Sequence, residues 1–240
     1  MYSDDDEEFT LSSFSKRKNV TPVSSVLKEV IQKCERQKPK QINIMSLSVQ
    51  HQGNHRRLYE LFNLLTYFGV TINNGRGKLS WFGFSSLLNH IENTYLQLES
   101  KSNSATIQNI FQLETSPHLG QIAEYFMILY PFLNVNLLNI KSVSTLFSYG
   151  VPDKKQIERR MYLALSLLET IGCIKHKPRS GQYKLVLDVS GMVLKAKASR
   201  DGAYCSHMLS IDYLLNHPSK SAINDIYAQR QFEFERLTKV

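Results

Sequence analysis

The sequence predicts a mostly α chain with small β wings, an α+β fold built as two copies of one helical unit followed by C-terminal helices. Three observations carry that expectation. Arg-Arg-x-Tyr occurs twice, as Arg56-Arg57-Leu58-Tyr59 and Arg159-Arg160-Met161-Tyr162. Each copy lies on an apolar helical pattern that stops at a glycine, Gly69 and Gly172. A hairpin with a basic turn follows each glycine, and an internal repeat on this scale is a strong architectural signal.

Taken in order, residues 1–19 read as a disordered tail, with an acidic run from Asp4 to Glu8, then serines and the basic triplet Lys16-Arg17-Lys18. Thr21-Pro22 suits a helix start, with Thr21 as N-cap and Pro22 as first helical residue. Val23, Val26, Leu27, Val30 and Ile31 then follow at helical spacing, and Lys38-Pro39-Lys40 ends the run. A short apolar segment, Ile42 to Leu47, precedes the first Arg-Arg helix. Leu58, Leu61, Phe62, Leu65 and Phe68 recur at i, i+3, i+4, i+7 and define its core face. Arg56, Glu60, Asn63 and Tyr67 project on the opposite face. Val70-Thr71-Ile72 and Lys78 to Phe82, around Asn73 to Gly77, read as a hairpin. Helices followed by a basic hairpin are the order of a winged helix, expected here over residues 20–83.

Residues 84–116 read as a linker with one helix (Leu87, Leu88, Ile91, Tyr95, Leu98) and a soft Ser/Asn-rich patch from Ser100 to Asn109. The pattern returns over 117–190 as a second winged helix. Helices are expected from Leu119 to Phe132, from Val143 to Phe147, and from Lys154 to Ile171, the last with a core face of Ile157, Met161, Ala164, Leu165, Leu168 and Ile171. A hairpin opens at Cys173-Ile174-Lys175 and returns through Tyr183, around the basic turn Lys177-Pro178-Arg179-Ser180-Gly181. Residues 191–240 form a C-terminal extension with helices around Leu209–Leu215 and Ile223–Leu237, suited to packing on the body or on a partner.

Composition narrows the function. The 240 residues carry a net charge of +8, even though five consecutive carboxylates at the N-terminus offset part of the basic excess. A basic globular body favours polyanions. A membrane surface would want a long helix, basic on one face and bulky apolar on the other, and none is legible. No run of apolar residues is long enough to span a bilayer, and the acidic start is the opposite of a signal peptide. The expectation is an intracellular protein without a membrane partner. Cys34, Cys173 and Cys205 are scattered, and so are the seven histidines. The His51/His55 pair has no further ligand at metal-site spacing, so neither disulfide nor metal is expected. No Gly-rich phosphate loop and no nucleophile–base spacing is visible, and Gly75-Arg76-Gly77 is too short for a phosphate cradle. A non-enzyme with no cofactor and no small-molecule substrate is expected.

The paired arginines carry the chemistry. A helix fits the major groove, and an arginine near its N-terminus can donate two hydrogen bonds to guanine O6 and N7, a geometry lysine lacks. Arg56, Arg57, Arg159 and Arg160 are the candidate base readers, with Tyr59, Tyr162 and Asn63 beside them. Arg76, Lys78, Lys175, Lys177 and Arg179 on the wings are candidate phosphate contacts, which add affinity without sequence choice. The bland reading of the arginines is a solvated face with ion pairs such as Arg56–Glu60, and Trp81 is expected in the core.

Arg56-Arg57-Leu58-Tyr59-Glu60-Leu61-Phe62-Asn63-Leu64-Leu65, then Gly69-Val70 and Trp81-Phe82-Gly83, resembles the DNA-binding domain of the E-two-F / dimerisation-partner (DP) transcription factors. That family's pattern is Arg-Arg-x-Tyr-Asp-x-x-Asn-Val-Leu, then Gly-x-Ile, then a wing closing in Trp-x-Gly. Arg159-Arg160-Met161-Tyr162, with Leu167-Leu168, Ile171-Gly172 and Ile174-Lys175, is similar. Two copies in one chain resemble the atypical branch, which reads DNA with an intramolecular pair of domains. The resemblance implies a nuclear cell-cycle regulator and a GC-rich duplex site of the TTCCCGCC type. The second copy departs from the pattern: Leu163 and Ser166 stand where the first has Glu60 and Asn63, and the Trp-x-Gly is missing. Those departures motivate an alternative, a tandem winged-helix docking subunit of a larger nucleic-acid or chromatin assembly, with a protein partner on the second unit or the C-terminal helices.

Overall fold

The structure, a computed structural model, describes residues 22–50, 54–102, 105–114, 116–151, 153–177, 181–191, 193–194 and 220–238, with residues 220–225 described as backbone alone. The expected tail over 1–19, Thr21, His51 and the helix around Leu209–Leu215 lie outside the described residues.

The architecture is mostly helical with two small antiparallel sheets of three strands. The first unit runs α1 (Val23–Gln37), β1 (Ile42–Asn43), α2 (Ile44–Gln50), α3 (His55–Tyr67), β2 (Thr71–Asn73) and β3 (Lys78–Trp81). After α4 (Ser85–Lys101) and α5 (Ile107–Ile110), the second unit repeats the order. It runs α6 (Leu119–Leu133), β4 (Leu137–Asn139), α7 (Ile140–Phe147), α8 (Lys154–Thr170), β5 (Ile174–Lys177) and β6 (Gln182–Leu185). A last helix, α9, spans Lys220–Thr238.

The repeat reaches down to single hydrogen bonds. The sheets are ordered β1-β3-β2 and β4-β6-β5. Ile42 opposes Leu79 in the first, and Leu138 opposes Tyr183 in the second. The hairpins expected from sequence therefore each gain a third strand, from a segment of only two or three residues. After that strand, Asn43 Oδ1 accepts from the Met45 and Ser46 amides, and Asn139 Oδ1 accepts from the Lys141 amide, so an asparagine starts α2 and α7 alike. The Ile44 and Ile140 amides donate to the carbonyls of Gly77 and Gly181 in the facing hairpin turns. α3 and α8 also end identically. Gly69 and Gly172 adopt positive φ, +69° and +85°. The amide beyond each glycine, Val70 or Cys173, reaches back to the carbonyl of Leu65 or Leu168. This double closure needs a residue free to be left-handed at that position, which explains the two glycines.

α6 is the central helix. Twelve of its fifteen residues are buried, and it packs against α3, α4, α8 and α9. The two units meet reciprocally: α1 of the first packs on α8 of the second, and α6 of the second packs on α3 of the first. One apolar core joins both.

The helix expected in the connecting segment is α4, which buries Leu87, Ile91, Tyr95 and Leu98, and packs on α6. The patch from Ser100 to Asn109 runs into α5, with Ile107 buried, followed by buried Phe111 and Leu113. These apolar side chains outweigh the polar composition around them. Pro22 precedes α1 instead of opening it.

Candidate nucleic-acid interface

α3 begins one residue before its arginines, so Arg56 and Arg57 occupy its first turn, where a helix has unpaired backbone amides. Both are exposed, and both are held by Glu60. Arg56 Nε lies 3.0 Å from Glu60 Oε1, and Arg57 Nη1 lies 2.6 Å from Oε2. One carboxylate thus collects two guanidiniums. Exposed pairs at this spacing contribute only about 0.2–0.5 kcal/mol, so a polyanion can compete for these arginines. Asn63, two turns on, is exposed.

Tyr59 is half-buried. Its hydroxyl donates to Met45 Sδ of α2 at 3.2 Å, and its ring lies 4.7 Å from that of His55. In the following hairpin, Gly75, Arg76 and Gly77 all take positive φ, which throws the exposed Arg76 to the tip, with exposed Lys78 beside it. Trp81 is buried, and its Nε1 donates to Glu35 Oε2 of α1 at 2.7 Å, so it fastens the hairpin to the first helix.

The second unit is arranged differently. Asp153 caps α8 through the Gln156 amide, and the helix starts a turn earlier than α3 relative to its arginines. Arg159 and Tyr162 are exposed, and so are Lys154 and Lys155 in the added turn. Arg160 is half-buried, and its Nη1 donates to the Pro117 carbonyl just before α6. Leu163, expected on a face open to DNA or solvent, is half-buried against the apolar core, because α8 packs closely along α6. Lys175 and Lys177 are exposed on β5, whose His176 amide donates to Glu169 Oε1. Arg179 lies outside the described residues.

Helical projection groups Tyr67 with the face of α3 opposite its core face, and its place in the structure is different. It sits over Gly120 of α6, and its hydroxyl donates to Glu124 Oε2 at 2.6 Å. His90 of α4 places Nε2 at 2.8 Å from Glu124 Oε1, so two elements converge on this one carboxylate. Burial alone would raise the Glu124 carboxyl, but its contacts with His90, Tyr67 and Thr94 outweigh that and hold it below its ordinary range. Burial, followed by the bond to Glu124, pushes the Tyr67 hydroxyl well up. Sequence reasoning missed this cluster, although a lone carboxylate in the apolar run Ile122-Ala123-Glu124-Tyr125-Phe126 is a legible signal. It also missed Asn43 and Asn139, which the matched strings Ile42-Asn43-Ile44 and Leu138-Asn139-Ile140 would have revealed.

Cys34 and Cys173 are buried free thiols, pushed up to about 11 and about 12 by burial, with Lys33 partly opposing the shift at Cys34. Among the described residues no cluster of three or more His, Cys, Asp or Glu could hold a metal ion, and no helix is long and apolar enough to cross a membrane. Compared with family models, curated protein sequences and solved structures, the chain gives no significant match.

Proposed function

We propose that this chain is a nuclear, non-enzymatic regulator of transcription that binds duplex DNA sequence-specifically, with two winged-helix units of the E-two-F / DP type reading a GC-rich site. The observation that carries the reading is the repetition itself. Both units follow helix, strand, helix, helix, hairpin, and both carry Arg-Arg-x-Tyr at the same interval before the glycine that ends the third helix. In the first unit Arg56 and Arg57 stand exposed at a helix start, the position from which a helix in the major groove meets base edges. Arg76 and Lys78 supply phosphate contacts from the hairpin. The reciprocal packing of the units supports two readers acting on one contiguous duplex.

The roles are unequal. The first unit is the main base reader through Arg56, Arg57 and Asn63. The second adds Arg159, Tyr162, Lys175 and Lys177, and contributes more affinity than sequence choice, since Arg160 is occupied by the Pro117 carbonyl. That same engagement, with Leu163 turned into the core, favours the alternative of a docking module whose second unit meets protein.

Fluorescence anisotropy at near-physiological salt decides between them, with a TTCCCGCC-type duplex set against a scrambled duplex of equal composition. The DNA reading expects a preference of about a thousandfold or more. Equal, weak binding to both duplexes rejects it in favour of the docking module.

A further inference from the structure

Both Arg-Arg helices are tied to the same short stretch, the entry and first two turns of α6. From the second unit, Arg160 donates to the Pro117 carbonyl. From the first unit, Tyr67 lies so close over Gly120 that a Cβ there would stand 2.2 Å from Tyr67 Cγ, and one turn further its hydroxyl bonds Glu124. His90 faces the other oxygen of that carboxylate and packs edge-on to the Tyr67 ring at 5.3 Å. Glu124 is only 4% exposed, so its partners are fixed by the cost of leaving a buried charge unpaired.

The reciprocal junction is built quite otherwise. Between α1 and α8 the surface opens into a groove of about 870 Å³, lined among others by Lys28, Gln32, Phe84, Thr170 and Lys175. The α3–α6 junction buries a charge, whereas the α1–α8 junction is packed beside an open groove.

We infer that Pro117–Glu124 is the joint that sets the base-pair spacing at which the two reading helices engage a duplex, with Tyr67 as its positioning residue. This rests on the DNA reading above. Tyr67 lies ten residues along α3 from Arg57, a lever of about 15 Å at the rise of an α-helix. Tilting α3 about the joint by about 13° carries Arg57 through about 3.4 Å, one base step. A rigid joint therefore selects one spacing, and a loose one tolerates several.

The test uses the full chain and duplexes in which two G-rich half-sites are separated by none to three added base pairs. Wild type favours one spacing by about tenfold or more. Tyr67→Phe, which keeps the ring over Gly120, and Glu124→Gln both flatten that preference to within about threefold while single half-site affinity holds. A DNA-free arm measures the distance between spin labels at Asn63→Cys and Ser166→Cys in a Cys205→Ser background. The distribution is narrow with the native joint and about 1.5-fold broader or more in both variants. An unchanged distribution, or an unchanged spacing preference, in both variants overturns the inference. If wild type fails to distinguish any duplex from a scrambled one, the DNA reading fails by itself, and the label distances alone decide whether the joint exists.

Discussion

At the scale of single residues, Glu60 ranks the arginines. It holds Arg56 through Nε and Arg57 through Nη1, and the rest of each guanidinium fork remains available to another acceptor. Changing Arg56 and Arg57 together to Ala removes the guanidinium forks of α3 and leaves the hairpin cations Arg76 and Lys78. The expected outcome in anisotropy is loss of the preference for the GC-rich duplex, with residual binding that still weakens as salt rises. Retention of the preference would remove α3 from the role of reader. Gly120 makes a second prediction. The methyl of Gly120→Ala would collide with the Tyr67 ring, and overpacking of this kind costs about 1–3 kcal/mol, read as a lower urea midpoint. Adding Tyr67→Ala recovers part of that loss if the clash is the cause, since contacting sites are not additive. The arginines were legible because they recur at one interval before a glycine. Tyr67 was not, because its partner Glu124 lies 57 residues away and helical projection cannot tell a solvent face from a neighbour's seat.

At the scale of elements, the two Arg-Arg helices start differently. Asp153 caps α8, whereas Asn54 at the start of α3 makes no side-chain cap bond. Asp153→Ala is expected to cost about 1 kcal/mol and to increase hydrogen exchange in the first turn of α8, while the exchange of α3 stays as it was. α9 offers a sharper case. Arg230 is buried between α4 and α6, where it donates to both Glu99 oxygens, to Ser102 Oγ and to the Phe132 carbonyl, and lies 4.0 Å over the Phe132 ring. Removing one partner of such a buried pair strands the other. Arg230→Ala should therefore cost about 3–5 kcal/mol and expose α9 to protease. Unchanged proteolysis would mean that the helix is held by its apolar contacts alone. The long helices and both hairpins were readable from their periods and glycine stops. β1, β4 and α5 were not, because two to four residues are too few to show a period, and only pairing with β3 or β6, or burial of Ile107, defines them.

At the scale of the whole molecule, the repeat announced two units, while nothing in either copy announced that they share one core or that α6 serves both. That organisation places one buried carboxylate, Glu124, at the junction of α3, α4 and α6. Glu124 binds its proton less readily in the folded chain than in the unfolded one, since burial, which opposes its charged form, is outweighed by His90, Tyr67 and Thr94. As pH falls past the ordinary value of 4.5, the unfolded chain takes up this proton first. The stabilisation is thus fully present above that value and is lost as pH falls through the lower folded one. Hydrogen bonds to a charged group contribute about 1.5–3 kcal/mol, so Glu124→Gln should lower stability by about that much at pH 7. The gap to wild type should close as urea midpoints are followed down toward pH 3. His90→Gln is the control, because the His90 ring faces the same carboxylate. A gap that stays constant with pH would show that Glu124 acts by shape and not by charge. The joint would then have to be sought in the close seat of Tyr67 on Gly120.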